Sequence, residues 1–519
     1  MLAIRLFSYV LILPACLEAA RILAVFPFPG PSQYINVVPY LKTLASRGHE
    51  VTSINAFPQK KPVKNFRDIP VLEVFKNYND IIHEFDNPMN IWEENNFVNK
   101  FFLGVTRSVL TNKEVQETLL QPGKDHYDLI IVEALRTDAY YGFAAHFNAP
   151  IIGISTFGTD YNIDELVGNV SPLSYIPLVT AGLTDRMTFA ERVINFLDTS
   201  IGWLNYRFFH MPEQEKMYAE HFPLASARVP LSELNRNFSL VLLNQHFSLS
   251  FPRPYVPNMI QVGGLHISHK PAPLPKEMED FIQGAGEQGV IYFSLGSNVK
   301  SKDLPDERRE LILKTFASLP QRVLWKFEDD QLPGKPANVF ISKWFPQPDI
   351  LAHPKVKLFI THGGLLSTIE SIHHGKPVLG LPFFYDQFLN VKRATQAGFG
   401  LGLDHKTMTQ KEFKETIQRL LKEPRFAETA KQMSDRYRDQ PMTPLDTAIW
   451  WTEYVLRHKG AYHMRVAGQD LGFFAYHSVD VIGTLLGGAL LIIVIITSIL
   501  WKISKLVGPG SSKKKLKEQ

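Results

Sequence analysis

The chain has 519 residues, of which 45% are apolar and 20% charged, enough to bury more than one core and unlike a disordered or collagen-like polymer. Its 55 Lys and Arg oppose 51 Asp and Glu, a formal charge of +4, and so small an excess argues against a nucleic-acid partner.

In chain order, Arg5, the apolar run Leu6 to Leu13, Pro14 and the small pair Ala19 and Ala20 read as a secretory signal peptide over residues 1–20. The single cysteine, Cys16, falls inside it. A mature chain then has no disulfide framework, cysteine nucleophile or thiolate metal site. Ile22 to Phe26 reads as a strand, Tyr34 to Arg47 as a helix closed by Gly48, and Glu50 to Asn55 as the next strand, one βαβ unit. Leu129 to Glu133, Ile151 to Ser155 and Leu240 to Asn244 are further strands. The helical stretch Phe189 to His210 carries Phe196, Ile201, Trp203, Leu204, Phe208 and Phe209. Three uses are open for such a stripe: packing on the sheet, lining a pocket, or lying on a membrane.

Three prolines within 268–275 mark a linker between a first domain over 21–267 and a second over 276–440. The second again alternates, with strands at Val290 to Leu295, Val323 to Phe327 and Val356 to Ile360 and a helix at Asp306 to Ala317. The pattern is α/β, two doubly wound units, and the cleft between them is the expected site. Residues 441–480 read as C-terminal helices and a juxtamembrane segment, and 481–501 are uncharged and long enough for one membrane span. The tail 502–519 holds six lysines against Glu518, which by the positive-inside bias makes it cytosolic and the bulk of the chain luminal. The triplets Asn169-Val-Ser171 and Asn237-Phe-Ser239 are glycosylation candidates on that side. Lys515 and Lys517 match an endoplasmic-reticulum retrieval signal, or equally a basic flank drawn to anionic lipid.

The chemistry concentrates between Trp344 and Gln387. A strand delivers His362, Gly363 and Gly364 to a helix start, where unpaired N–H groups and the positive dipole end suit a diphosphate. Ser367 and Glu370 follow on that helix with a hydroxyl and a carboxylate, a spacing that fits a nucleotide better than bare phosphate. Alternatives are a tight turn for His-Gly-Gly, a core tryptophan for Trp344 and a solvated face for Glu370.

Taken in order, Trp344-Phe-Pro-Gln347, Ile350-Leu-Ala-His353, Thr361-His-Gly-Gly364, Ser367-Thr-Ile-Glu370, Pro377 and Pro382-Phe-Phe-Tyr-Asp386-Gln387 resemble the donor-binding signature of the UDP-glycosyltransferase family. Arg457-His-Lys-Gly460, Asp470-Leu-Gly-Phe473, Tyr476-His-Ser478 and the single span resemble its membrane-bound animal branch, which includes UDP-glucuronosyltransferases. Phe26-Pro-Phe-Pro-Gly30 and His146-Phe-Asn-Ala-Pro150 resemble insect members. The resemblance implies a GT-B fold, with the acceptor in the first domain and a UDP-sugar in the second. It further implies that Trp344 stacks on uracil and Gln347 contacts the uridine. Glu370 would bond the ribose; Ser297, His362, Gly364 and Ser367 would hold the diphosphate; Asp386 and Gln387 would read the sugar. The UDP-sugar is then a donor substrate, with no cofactor and no metal, and oligomers with itself or related transferases are expected partners. The implied activity is inverting transfer of a hexosyl or hexuronosyl group to a small lipophilic acceptor, of the detoxification type. Ile81 to Phe102 and Phe189 to Phe209 are expected to line the acceptor pocket of an endoplasmic-reticulum enzyme.

One position departs from the pattern. Where the family has Ser-His in the loop after the first strand, this chain has Ser32-Gln33, and an amide takes no proton at neutral pH. The orienting acid falls at Glu133 or, second, at Asp138; His49 lies at the far end of the βαβ unit. Three readings stay open: an acceptor that needs no base, direct proton uptake by a carboxylate such as Glu133, or a silent UDP-sugar-binding partner of active relatives.

Overall fold

In the computed structural model, residues 19–81, 89–121, 123, 126–268 and 270–507 are described. Most of the expected signal peptide, with Cys16, and the basic tail from 508 lie outside the described residues. The chain divides into two compact units, one ending at Arg465 and the other starting at Val466.

The first unit is organised by two sheets whose strands all pair in parallel. One contains β1 (Arg21–Phe26), β2 (Glu50–Asn55), β3 (Phe66–Pro70), β4 (Leu129–Glu133), β5 (Ile151–Ser155), β6 (Leu240–Leu243) and β7 (Met259–Gln261), in the order 3-2-1-4-5-6-7. The other contains β8 (Val290–Ser294), β9 (Arg322–Lys326), β10 (Val339–Ser342), β11 (Val356–Thr361), β12 (Val378–Gly380) and β13 (Gly400–Gly402), in the order 10-9-8-11-12-13. Runs such as Leu129–Glu133 and Val290–Ser294 are buried along their whole length, because helices cover both faces of a parallel sheet and leave no polar side to alternate with. In each sheet the order reverses beside its first strand, between β1 and β4 and between β8 and β11. A crevice opens at such a reversal, outside the carboxyl ends of the strands.

Six helices of this unit matter for the site: α1 (Pro31–Ser46), α2 (Ile91–Leu110), α3 (Phe189–Asn205), α4 (Leu365–His373), α5 (Gln387–Ala397) and α6 (Pro444–His458). Pro31 opens α1, where its missing N–H leaves no gap in the helical hydrogen bonds. Helix α6 follows the second sheet in sequence yet packs on the first: Ala448, Ile449 and Val455 are buried in one cluster with Tyr40, Leu41 and Leu44 of α1. Tyr40 Oη and Thr452 Oγ1 are 2.6 Å apart, and the Arg47 guanidinium donates to both oxygens of buried Glu453 at 2.5 and 3.0 Å.

Helix α3 turns its polar side inward. Asn195 donates to the carbonyls of Leu173 and Ile176 and accepts from the amide of Leu178, while Asn205 donates to Asn96 and accepts from Asn99. Those polar ties fix the helix, so its opposite stripe faces out: Phe189 is 74% exposed, Phe196 56% and Leu197 51%. The expectation that Phe189 to Phe209 lines the acceptor pocket is corrected on that ground. The three strands read beyond the first βαβ unit in the N-terminal sheet are present, but β3 and β7, short and carrying few apolar residues, escape a reading by apolar runs.

The second unit is built on α7 (Val479–Val507), 29 residues long and apolar enough to cross a membrane, with exposed side chains throughout.

The tie between α1 and α6 gives a test of this architecture. Glu453→Ala leaves Arg47 without its carboxylate and His49 without a neighbour 3.8 Å away. Because Arg47 is half exposed, a loss of about 1–2 kcal/mol is expected in urea unfolding, rather than that of a fully buried pair.

Candidate functional site

The carboxyl ends of the two sheets face a cavity of about 480 Å³, inside the range of small-molecule sites. After β1 come Phe28, Ser32 and Gln33; after β5, Thr156 and Phe157. From the other sheet, Ser294 ends β8 and Gly296 and Ser297 follow it, Lys326 ends β9 and His362 follows β11. Helix α2 adds Phe97, Val98, Phe101 and Phe102. Of the described part of the Ile81 to Phe102 stretch, these four residues line the cavity. Phe28 meets Phe101 edge-on at 5.6 Å and Phe102 at 6.0 Å, which makes one wall a continuous aromatic surface.

The opposite wall is polar. Glu370 of α4 is buried, and both its oxygens are engaged: Oε1 with His266 Nε2 at 2.8 Å and Oε2 with Gln347 Nε2 at 2.5 Å. The same Gln347 amide donates to Ser367 Oγ at 2.9 Å, and its carbonyl accepts from Tyr292 Oη at 3.1 Å. Trp344 stands at the rim with 59% of its surface exposed. It is not a core tryptophan; Trp325 fills that place, fully buried.

His362 is packed between two glycines. A Cβ built on Gly296 would lie 2.4 Å from its ring and one on Gly364 2.5 Å, so neither position tolerates a side chain without moving the imidazole. Burial, helped by the charge of Lys326, lowers the His362 pKa to about 4. The ring is therefore neutral at pH 7 and donates from one nitrogen only. Gly364 also precedes the first turn of α4 without a side-chain cap, leaving backbone N–H groups of that turn for an anion. Asp386 is buried, with its carboxylate held by Asn390 Nδ2 at 2.7 Å, and burial raises its pKa to about 6. Gln387 Oε1 accepts from the amides of Phe383 and Phe384. That leaves the Gln387 NH₂ as its group for a ligand.

Every expected donor-side residue lines this one cavity. On the acceptor side, Gln33 also lines it, with its carbonyl oxygen 2.9 Å from the Ser32 hydroxyl. Glu133 does not reach the wall. It is buried at the end of β4 and accepts from Thr156 Oγ1 at 3.1 Å, so Thr156 stands between it and the cavity. Burial pushes the Glu133 pKa up to about 8. Asp138 is brought elsewhere: Tyr206 Oη donates to it at 2.7 Å and Asn235 Nδ2 at 3.2 Å, away from the cavity lining. The expectation that Asp138 serves the site is corrected, since these partners make it a packing carboxyl.

Three contributors were not expected from sequence. His266, just before the linker, grips Glu370 from the first sheet's side and approaches Asn36 at 3.3 Å. Lys326 is buried beside His362 with its ammonium 2.7 Å from Glu328. Thr156 supplies the hydroxyl already described. The position of Lys326 and Thr156 at strand carboxyl ends is the signal by which they can be found; His266 has no comparable signal. Among the described residues, no cluster of three His, Cys, Asp or Glu is placed to hold a metal.

The chain matches, over residues 23–514, the family model described as UDP-glucoronosyl and UDP-glucosyl transferase. It is 37% identical to UDP-glucosyltransferase 2 of Dactylopius coccus, covering 94% of this chain and 93% of that one. To UDP-glucuronosyltransferase 2B14 of Oryctolagus cuniculus it is 36% identical, covering 93% of each. Among solved structures, the calicheamicin glycosyltransferase CalG4 matches with a TM-score of 0.60 at 17% identity, over 85% of this chain and 99% of that one. The glycosyltransferase of kitacinnamycin matches at 0.55, also at 17% identity, over 83% and 98%. At such identities the structural likeness establishes the fold, which is GT-B.

The raised pKa of Glu133 has a measurable sign. The folded chain holds this proton more tightly than the unfolded one, so the group's stabilising contribution is present below the ordinary carboxyl range and is lost as pH rises toward about 8. Glu133→Gln keeps an oxygen for Thr156 and carries no charge. It is expected to raise Tm relative to the parent at pH 9 and leave it unchanged at pH 4, measured by differential scanning fluorimetry.

Proposed function

The chain belongs to the UDP-glucoronosyl and UDP-glucosyl transferase family, and we propose that it moves a hexosyl or hexuronosyl group from a UDP-sugar to a small lipophilic acceptor with inversion at the anomeric carbon. The observation that carries this reading is the pairing of walls in one cavity: Glu370, Ser367, Gln347, His362 and the exposed ring of Trp344 on one side, and the Phe28, Phe101 and Phe102 surface on the other.

In this reading Trp344 offers a ring face to uracil and Gln347 its amide to the uridine. The Glu370 carboxylate exchanges His266 and Gln347 for the vicinal ribose hydroxyls. Neutral His362, Ser297, Ser367 and the N–H groups beginning at Gly364 receive the diphosphate and stabilise the charge that grows as the bond from the anomeric carbon to the β-phosphate oxygen breaks. Lys326, missing from the sequence set, adds a cation to that cradle. Asp386 and the Gln387 NH₂ face the sugar.

The proton needs a route that avoids Gln33. As the acceptor oxygen attacks, its proton passes to Thr156 Oγ1 while the Thr156 proton passes to the Glu133 carboxylate. Two supports for this route are the 3.1 Å bond between these side chains and the raised proton affinity of Glu133. Gln33 then holds the acceptor oxygen through a hydrogen bond. The chain is further proposed to lie in the endoplasmic-reticulum membrane by its one span, with the cavity luminal and the basic tail cytosolic. The second reading, a silent UDP-sugar-binding partner of related transferases, rests on Gln33 alone.

Release of UDP is the readout that separates the two, using UDP-glucose and UDP-glucuronate against aliphatic alcohols, phenols, carboxylic acids and amines. The parent is expected to turn over, with kcat/KM on alcohols rising with pH toward about 8 as Glu133 ionises. Glu133→Gln and Thr156→Val are each expected to lower the rate on alcohols by about 10²–10⁴ and to spare acceptors that arrive ionised. A parent inactive on every acceptor, together with a Gln33→His variant that conjugates phenols, overturns transfer and leaves the silent reading.

A further inference from the structure

Behind the main cavity lies a second, smaller chamber of about 80 Å³. The two share four residues, Val98, Phe102, Phe157 and Tyr385, and these form the partition between them. The partition closes where the Tyr385 ring meets Phe157 edge-on, at 5.3 Å and 69°. Phe157 comes from the loop after β5 and Tyr385 from the loop before α5, so the closure joins the acceptor-side sheet to the donor-side sheet.

Tyr385 holds this position at a backbone cost. Its φ is +55°, a left-handed conformation that a glycine adopts freely and an aromatic residue does not. The turn that leads from Phe384 into α5 is already tied by Gln387 Oε1, so the turn alone does not call for a tyrosine. What a glycine lacks is the ring, and the ring is what closes the partition.

Beyond the partition the lining is mixed: apolar Ile91, Leu135, Leu178 and Val179 stand beside Glu94, Arg136, Asp160 and Tyr161. The Arg136 guanidinium there is held by neutral groups, Asn99 Oδ1 at 2.8 Å, Asn95 Oδ1 at 3.2 Å and Tyr161 Oη at 3.0 Å. A tail of either kind, apolar or polar, is stopped first by the partition. A tail with a polar end finds partners once the way is open.

We propose that Tyr385, closed against Phe157, sets the reach of the acceptor: it limits the parent to short acceptors and keeps the chamber behind it as an extension subsite that opens when either ring is removed. This rests on the acceptor reading of the main cavity given above.

The test uses the full chain in detergent or nanodiscs, saturated with UDP, and isothermal titration calorimetry with 4-alkylphenols from methyl to octyl and their ω-carboxamide counterparts. For the parent, affinity is expected to rise with tail length and then stop at one length. In Tyr385→Gly, which takes the same φ without strain, and in Phe157→Ala, which leaves that backbone untouched, the limit moves to longer tails. The first carboxamide beyond the parent's limit then binds about tenfold tighter than to the parent. Tyr385→Phe keeps the ring and is expected to keep the parent's limit. If phenols bind but the limit stays fixed in both Tyr385→Gly and Phe157→Ala, or if the parent shows no limit, this proposal is overturned and the acceptor reading stands. If no phenol binds any variant, the acceptor reading fails and takes the proposal with it.

Discussion

The carboxylate of Glu370 is the constraint from which the rest of the site follows. It is buried and fully engaged, with His266 on one oxygen and Gln347 on the other. His266 belongs to the first sheet's side and Gln347 to the second's, so one side chain sets the spacing across the cleft as well as the direction of α4. A ribose placed there exchanges these bonds one for one, which gives little net energy because each swap is worth about 0.5–1.5 kcal/mol in either direction. The surplus for binding then has to come from the neighbouring groups. The exposed Trp344 ring offers a stacking face worth about 1–3 kcal/mol, and the neutral donors around His362 meet the diphosphate in a setting partly screened from water. The net gain at Glu370 is therefore small, but removing the carboxylate leaves the ribose hydroxyls buried without their acceptor, which costs about 1–3 kcal/mol.

The same economy of burial shapes the acceptor side. Gln33 occupies the place from which an imidazole is expected to act, and its carbonyl is already bonded to Ser32. Glu133, whose proton affinity burial raises, stands one hydroxyl behind the wall. Burial explains both facts. A carboxyl kept out of water holds its proton to a higher pH, and in the proposed transfer the same seclusion makes it act through Thr156. The aromatic wall of Phe28, Phe101 and Phe102 keeps the reacting region apolar, which strengthens every dipole aimed into it.

Much of the fold was legible in the sequence because parallel strands bury both faces and read as continuous apolar runs. Leu129 to Glu133 and Ile151 to Ser155 match β4 and β5 residue for residue. Strands of three residues, β7, β12 and β13, offer too little pattern to be seen. The donor-side residues were legible for a different reason: all but Ser297 fall on one short stretch of chain, from Trp344 to Gln387, where local spacing carries the chemistry. His266 was not, since it gains its meaning from a distant partner, Glu370; Thr156 is marked by its strand-end position, but its link to Glu133 is not. Apolarity misled at Phe189 to Phe209, because Asn195 and Asn205 fix α3 from the other side and the apolar stripe is left outward. Asp138 misled because a carboxyl close to a strand end looks the same in sequence whether it faces a cavity or Tyr206.

The central claim is that a uridine diphosphate is held at Glu370 and His362. Calorimetric titration of UDP into the full chain and into Glu370→Ala tests it most directly. Saturable binding to the parent, weakened at least about tenfold in the variant, is the result this account predicts. Absence of binding heat in a folded parent, or equal affinity in the two proteins, would contradict it.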